Sequence, residues 1–467
     1  MNNHAGISYS QGAKKALEEL VNYLKNSREG KSPVVELRPM AELAADLNLA
    51  QQIREGGLND ENIQEFLHKY LDHSMHMHHP RYMGHQVAVP HPASAIADMV
   101  HGLICNAMSI YEMGPVAATI EREVVQWMLE KVGWQVEGGG LFTDGGSLAN
   151  IHAMLAARAA LDPHAWTKGV RQDMVVLAPE NSHYSVARAV SIIGLGHESI
   201  VPIPTDRFEV VIPDTLPDLI HQQRDQGKAI MAIVANACAT STGLYDPIDE
   251  IADICQEHHC WFHIDSPHGA TALLSEKYRP LLKGIEKADS VIWDAHKMMQ
   301  TSSLSTALLF KNKEHYYQTL SQKASYLIHE KENPGYDVLP YQIECTKAAI
   351  AAKLFFVLAA VGEKGMGDFI ENLYNNSRTF ATMINNRQGF ESNIPVESNI
   401  ILFRYQPDKI NQLTLREKLI KTGSFYITST EVKGVRYLRL VIMQESSTAE
   451  HIEALLDKIT EVAEGLN

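Results

Sequence analysis

Two side chains near the middle of the chain, Asp265 and Lys297, stand 32 residues apart, and each closes a short apolar run: WFHID ends on the carboxylate, and SVIWDA leads into His296 and Lys297. Short apolar runs with polar ends are the pattern of buried parallel strands whose C-terminal ends open on a site. Joined by a crossover that reads as a helix over roughly residues 278–287, two such strands become neighbours in one sheet, and both side chains face one crevice. A carboxylate opposite a lysine makes an ordinary salt bridge at a strand end, and it also has a more specific use. Pyridoxal phosphate (PLP) attaches to a lysine amine and needs an acid partner to keep its pyridine nitrogen protonated, which makes the ring an electron sink. His263, two residues before the aspartate, and His296, directly before the lysine, favour that use. A metal site is the competing reading, because His258, His259, Cys260, His263, Asp265 and His268 crowd together and His263 and Asp265 share a strand face. Their spacing fits no regular zinc frame and leaves Lys297 without a task, so no metal is expected.

The elements around this pair must hold it at a sheet edge. GGGLFTDGGSLANIHAMLAARAAL reads as a strand, a Gly145-Gly146-Ser147 turn and a long helix. A glycine turn feeding a helix N-terminus offers free backbone N–H groups and a positive dipole end, which suits a phosphate, and Gly146, Ser147 and Leu148 are the candidate donors. From Met174 onward apolar runs alternate with helical segments (184–193, 214–226 and 247–258), the mark of a largely parallel sheet covered on both faces. Residues 11–70 read as helices with polar faces. Past the lysine, TALLFKN is a strand and residues 321–337 form a long polar loop, which in a compact domain is usually functional or disordered. Long helices then lead to strands NIILFRY and GVRYLRLVIM and a terminal helix. His73, His76, His78, His79, His85 and His91 fall in a stretch broken by Pro80, Pro90 and Pro92, which favours an extended loop over a metal frame.

Composition narrows the partners. A net charge of −15 opposes general binding to nucleic acid or to an anionic membrane, both of which call for a basic face. No run approaches 18 apolar residues, and MNNHAGISYSQGAKK has no apolar stretch of the kind found in a leader. Five cysteines (105, 238, 255, 260 and 345) lack framework spacing. A reduced, cytoplasmic location is the expectation.

Taken together, H-x-D-x-x-x-G (His263, Asp265, Gly269) followed by D-A-H-K-M-M (Asp294 to Met299) resembles the group II PLP-dependent amino-acid decarboxylases, and the likeness runs from about residue 60 to the C-terminus. The resemblance implies an α/β protein of PLP fold type I: an N-terminal helical segment (1–85), a large PLP-binding domain with a mostly parallel sheet (86–345) and a small α+β domain (346–467). It implies α-decarboxylation of an L-amino acid to its amine and CO₂. His183 would stack on the pyridine face, Thr240 would lie near the cofactor, and His296 would assist proton movement or hold the phosphate. Tyr326, 29 residues after Lys297, resembles the loop tyrosine that returns a proton to Cα. Asp294 stands where the family often has Asn, Pro267 and His268 replace small and aromatic residues, and Gln300 replaces a glycine. The stretch from His79 to Trp134 resembles the branch acting on glutamate and cysteine sulfinate. That favours a small acidic substrate held by Arg439, with His85 and Gln86 near it. An aliphatic or diamino acid such as 2,4-diaminobutyrate, or oxidative aldehyde synthesis on the same scaffold, are the alternatives. The family also implies a homodimer with sites at the interface.

Overall fold

The computed structural model describes residues 6–135, 137–320 and 337–465. Its strands in chain order are β1 (Tyr82–Met83), β2 (Gly139–Thr143), β3 (Met174–Pro179), β4 (Ile200–Ile203), β5 (Ala229–Asn236), β6 (Phe262–Asp265), β7 (Ser290–Asp294), β8 (Thr306–Phe310), β9 (Phe390–Glu391), β10 (Ile400–Tyr405), β11 (Tyr426–Val432) and β12 (Val435–Val441). Seven of them form the main sheet in the order β2-β8-β7-β6-β5-β3-β4. The five strands from β4 to β7 in that order run parallel, and β8 and β2 close the other edge antiparallel. Along β3, Val175 and Leu177 join one hydrophobic cluster while Met174, Val176 and Ala178 join another. The alternation at period two shows why the strand is apolar throughout: each face carries its own layer of helices.

β6 and β7 are parallel neighbours, as the apolar runs suggest, with His263 opposite Ser290. The expected crossover helix over 278–287 is absent. Its place is taken by 3₁₀ turns at Arg279–Leu282 and Ile285–Lys287, after an earlier one at Gly269–Leu274. Pro280 removes a donor, and Gly284, at φ +88°, reverses the chain where a Cβ would come within 2.5 Å of the Asp249 Cα.

The second sheet has the order β1-β11-β12-β10-β9. The N-terminal helices Gly12–Arg28, Met40–Asp46, Leu49–Glu55 and Ile63–Asp72 precede β1, which pairs in parallel with β11, so the N-terminal segment contributes a strand to the C-terminal sheet. A two-residue strand such as β1 or β9 has no readable periodicity, and β11 is not among the strands expected above. A long helix, Ala351–Asn386, interrupted at Gly362 (φ +71°), links the two sheets.

Candidate active site

Lys297 lies three residues past the end of β7, its Nζ 3.4 Å from Asp294 Oδ2. Asp294 is itself fixed, accepting a 2.5 Å hydrogen bond from Thr306 Oγ1 on β8 at its other oxygen. His296 Nε2 is 3.5 Å from the same Asp294 Oδ2, and its Nδ1 lies 2.9 Å from the Ser305 carbonyl oxygen. The segment after the lysine turns sharply: Gln300 adopts φ +58°, the left-handed region in which glycine is the ordinary residue. The Gln300 carbonyl accepts from the His91 N–H at 2.9 Å, and that bond helps to hold the turn despite its side chain.

Asp265, at the end of β6, is 3 % exposed and makes no ion pair within 4.0 Å among the described residues. Burial pushes its carboxyl up to about 6, against the pull of the Lys297 charge and of the Asn150 amide, which donates to Oδ1 at 3.4 Å. A buried carboxylate without a cation is a costly group, and a protonated pyridine nitrogen would fit as its partner. His183 caps the helix Tyr184–Ile192, accepting from the Ser185 N–H at Nδ1, and burial followed by the Lys297 charge pushes it down to about 4, so the ring is neutral. A neutral aromatic ring can lie against a cationic heterocycle without repulsion.

The glycine turn is built as expected. Gly145 sits at φ +99°, and the Gly146 and Ser147 N–H groups have no acceptor among the described residues. Leu148 is a correction: its N–H is already donated to the Gly145 carbonyl at 3.1 Å. A Cβ on Gly146 would lie 3.7 Å from Asp294 Oδ1 and 3.9 Å from Pro267 Cβ, so the turn reaches the lysine side of the sheet edge. Free N–H groups at one end and an unpaired buried acid at the other fit the two ends of PLP.

Arg439, on β12, is 5 % exposed. Its Nη2 donates to the Thr240 carbonyl (2.8 Å) and to Gln86 Oε1 (3.1 Å), and its Nη1 to Thr428 Oγ1 (3.3 Å). Arg439 Nε and Gln86 Nε2 are buried donors without partners, and no carboxylate pairs with the guanidinium among the described residues. Burial brings its pKa down to about 10, which leaves it charged at neutral pH. The fold thus joins Gln86, Thr240 and Arg439, while His85 is exposed and engages Tyr426 Oη at 3.1 Å. Tyr326 lies outside the described residues.

Several histidines of the 73–91 stretch have structural partners. His76 Nδ1 bonds Ser27 Oγ at 2.6 Å, His79 accepts from the Arg81 N–H, and His91 caps the helix Pro92–Ile104. Among the described residues no three His, Cys, Asp or Glu side chains converge as a metal site, the 258–268 group included. Sequence reasoning missed Asn150, Ser185, Ser290 and Thr306. Asn150 offered one signal: it is a polar residue, buried to 1 %, in an otherwise apolar stretch of the helix Gly146–Leu161.

Residues 41–406 match the pyridoxal-dependent decarboxylase conserved domain. The acidic amino acid decarboxylase GADL1 of Homo sapiens is 31 % identical over 447 residues, covering 91 % of this chain and 85 % of the relative. An L-2,4-diaminobutyrate decarboxylase of Acinetobacter baumannii is 26 % identical, covering 89 % of this chain and 86 % of the relative. Among solved structures, mouse CSAD superposes with a TM-score of 0.89 at 24 % identity, covering 97 % of this chain and 98 % of that one, a likeness of fold. With the lysine, the buried acid and the glycine turn at one edge of a fold type I sheet, the chain belongs to the pyridoxal-dependent decarboxylase family and is a PLP-dependent amino-acid decarboxylase.

Proposed function

We propose that the substrate is a small acidic L-amino acid: aspartate, glutamate or cysteine sulfinate. The observation that carries this is the likeness to an acidic amino acid decarboxylase at 31 % identity; Arg439, a buried guanidinium whose partners are all neutral, beside the unpartnered amide N–H of Gln86, offers a place for a substrate carboxylate. Such a pair lacks an anion, and a carboxylate entering there avoids the cost of burying its charge unpaired. The name of the GADL1 relative supports the acidic reading. A screen of amine products over the common amino acids, cysteine sulfinate and 2,4-diaminobutyrate should find turnover confined to the acidic group. Arg439→Leu should then raise KM about ten- to a hundredfold, the worth of a lost charge-assisted hydrogen bond. Turnover restricted to valine, leucine or a diamino acid would sink the acidic assignment and leave the decarboxylase standing. A diamino acid is the specific rival, given the relative from Acinetobacter baumannii.

When bound, PLP would supply an electron sink for loss of CO₂ from Cα. Lys297 would anchor the cofactor, with Asp294 holding the amine; Asp265 would keep the proton on the ring nitrogen, and His183 would cover one ring face. Gly146 and Ser147 would donate N–H groups to the phosphate, His296 would hold it or assist proton movement, and Thr240 would lie near the cofactor. Tyr326 returns a proton to Cα. Without that donor the electron pair is open to O₂, so Tyr326→Phe should shift products from amine toward aldehyde, ammonia and peroxide. A wild-type enzyme that already makes aldehyde would instead be an oxidative aldehyde synthase.

The enzyme is read as a cytoplasmic homodimer. Its five cysteines are all free, and among the described residues no helix is long and apolar enough to cross a membrane. Ile96, Met99, Leu103 and Ile104 stand exposed on the helix Pro92–Ile104, with Met113 and Val116 nearby in the chain. That helix touches the segment after Lys297 through Ser94 Oγ and Ser302 Oγ, 3.0 Å apart, so a second copy covering the apolar face would border the site.

A further inference from the structure

We infer that Asn150 is a positioning residue: a directed chain of hydrogen bonds from Trp261 to His183 locks its amide so that the N–H faces Asp265 and the proton stays on the cofactor's ring nitrogen. This rests on the assignment of Asp265 to that nitrogen.

The chain can be followed hydrogen by hydrogen. Trp261 Nε1, which can only donate, bonds Ser290 Oγ at 3.0 Å. Ser290 therefore has its own hydrogen free for His263 Nδ1, 2.8 Å away. His263 is neutral, pushed down to about 3 by burial, so with Nδ1 accepting, Nε2 carries the hydrogen and donates to Asn150 Oδ1 at 3.0 Å. The amide nitrogen of Asn150 then faces Ser185 Oγ at 2.9 Å and Asp265 Oδ1 at 3.4 Å. At the far end the Ser185 backbone N–H, another obligate donor, bonds His183 Nδ1 at 3.3 Å, and Ser185 Oγ lies 2.6 Å from the same nitrogen. Nδ1 therefore accepts, Ser185 Oγ–H donates to it, and the serine oxygen is left to accept from Asn150. The His183 end fixes the orientation: the Ser185 N–H cannot reverse, so the amide nitrogen of Asn150 faces Ser185 and Asp265, and its oxygen is left for His263. Turning the amide over would set its oxygen against the Asp265 carboxylate and strand the Ser290 hydrogen.

The consequence is chemical. Asp265 Oδ1 meets a donor that cannot turn into an acceptor, so protonation of that oxygen loses a hydrogen bond. Burial alone favours the neutral acid; the Asn150 amide opposes it and leaves the proton to the ring. Of the three side chains between Trp261 and Asp265 (Ser290, His263 and Asn150), only Asn150 touches a group assigned to the cofactor, so the others act through it.

The test uses holoenzyme reconstituted with PLP labelled with ¹⁵N in the ring, since the nitrogen resonance distinguishes a protonated from an unprotonated pyridine. Wild type should show the protonated form. Asn150→Ala should move the signal toward the unprotonated form and weaken PLP binding about ten- to a hundredfold, measured by titrating the cofactor-free protein with PLP. Should that variant fail to fold, Asn150→Leu keeps a similar volume while removing the donor to Asp265, and the same shift is expected. A lower melting temperature with unchanged nitrogen signal and unchanged PLP affinity would reduce Asn150 to a packing residue and overturn the inference. An unprotonated ring in wild type would overturn the Asp265 assignment beneath it, an outcome distinct from the first.

Discussion

Lys297→Ala should be colourless and inactive, with turnover down by on the order of 10³ or more, the range set by losing a positioned catalytic amine. The side chain is held for one purpose. Its Nζ sits 3.4 Å from an Asp294 oxygen, and Asp294 is held in turn by Thr306 on the neighbouring strand, so the amine is delivered to one point at the sheet edge. Alanine removes the group that anchors the cofactor and leaves Asp294 buried, with its bond from Thr306 intact and a proton available to neutralise it. The fold should therefore survive, and wild type and variant should both sediment at the mass of two chains. A single-chain mass for both would sink the homodimer. Visible absorbance retained in the variant would move the cofactor attachment to another lysine. Added small amines should restore a fraction of turnover, because the site still presents its acid, its ring cover and its phosphate turn.

What could be read from the letters followed from how local each signal is. Asp265 and Lys297 were legible because an apolar run with a polar end is a statement about burial made within five or six residues. The glycine turn was legible for the same reason: Gly145 at φ +99° is a conformation that residue type alone predicts. The crossover was misjudged because Pro280 and Gly284 outweigh the helix-forming residues between them. Asn150 offered only its polarity within a largely apolar helix, and partners 35, 113 and 115 residues away are not named by that. Arg439 stood out as a charge on a strand, yet only the fold shows that its partner Gln86 comes from 353 residues upstream. Gln300 shows the opposite case: a departure from the expected glycine that the backbone absorbs with its left-handed turn intact.

Asp265→Asn should weaken catalysis and strengthen the cofactor-free protein. In the holoenzyme the loss is electronic: an amide cannot hold the ring nitrogen protonated, and removing one such charge partner costs at least about a hundredfold in kcat. In the absence of PLP the same carboxylate is a burden. Its pKa in the fold is about 6 against an ordinary 3.8, because burial penalises the charged form. The sign follows from that direction: a raised acid pKa destabilises the fold wherever the unfolded chain would be ionised. The penalty is absent below about pH 4, grows between there and pH 6, and is constant above, at about 3 kcal/mol for a shift of about two units. The substituted amide brings one N–H without a partner, at a cost of about 1 kcal/mol, so the net gain at pH 8 is about 2 kcal/mol. Cofactor-free Asp265→Asn should accordingly melt above cofactor-free wild type at pH 8 and lose that advantage by pH 4. Adding PLP should raise the melting temperature of wild type more than that of the variant, because only wild type can then pair its buried charge with the ring. If the variant melts lower at both pH values, the carboxylate is already satisfied in the empty site, and the reading of Asp265 as a charge waiting for a cation fails.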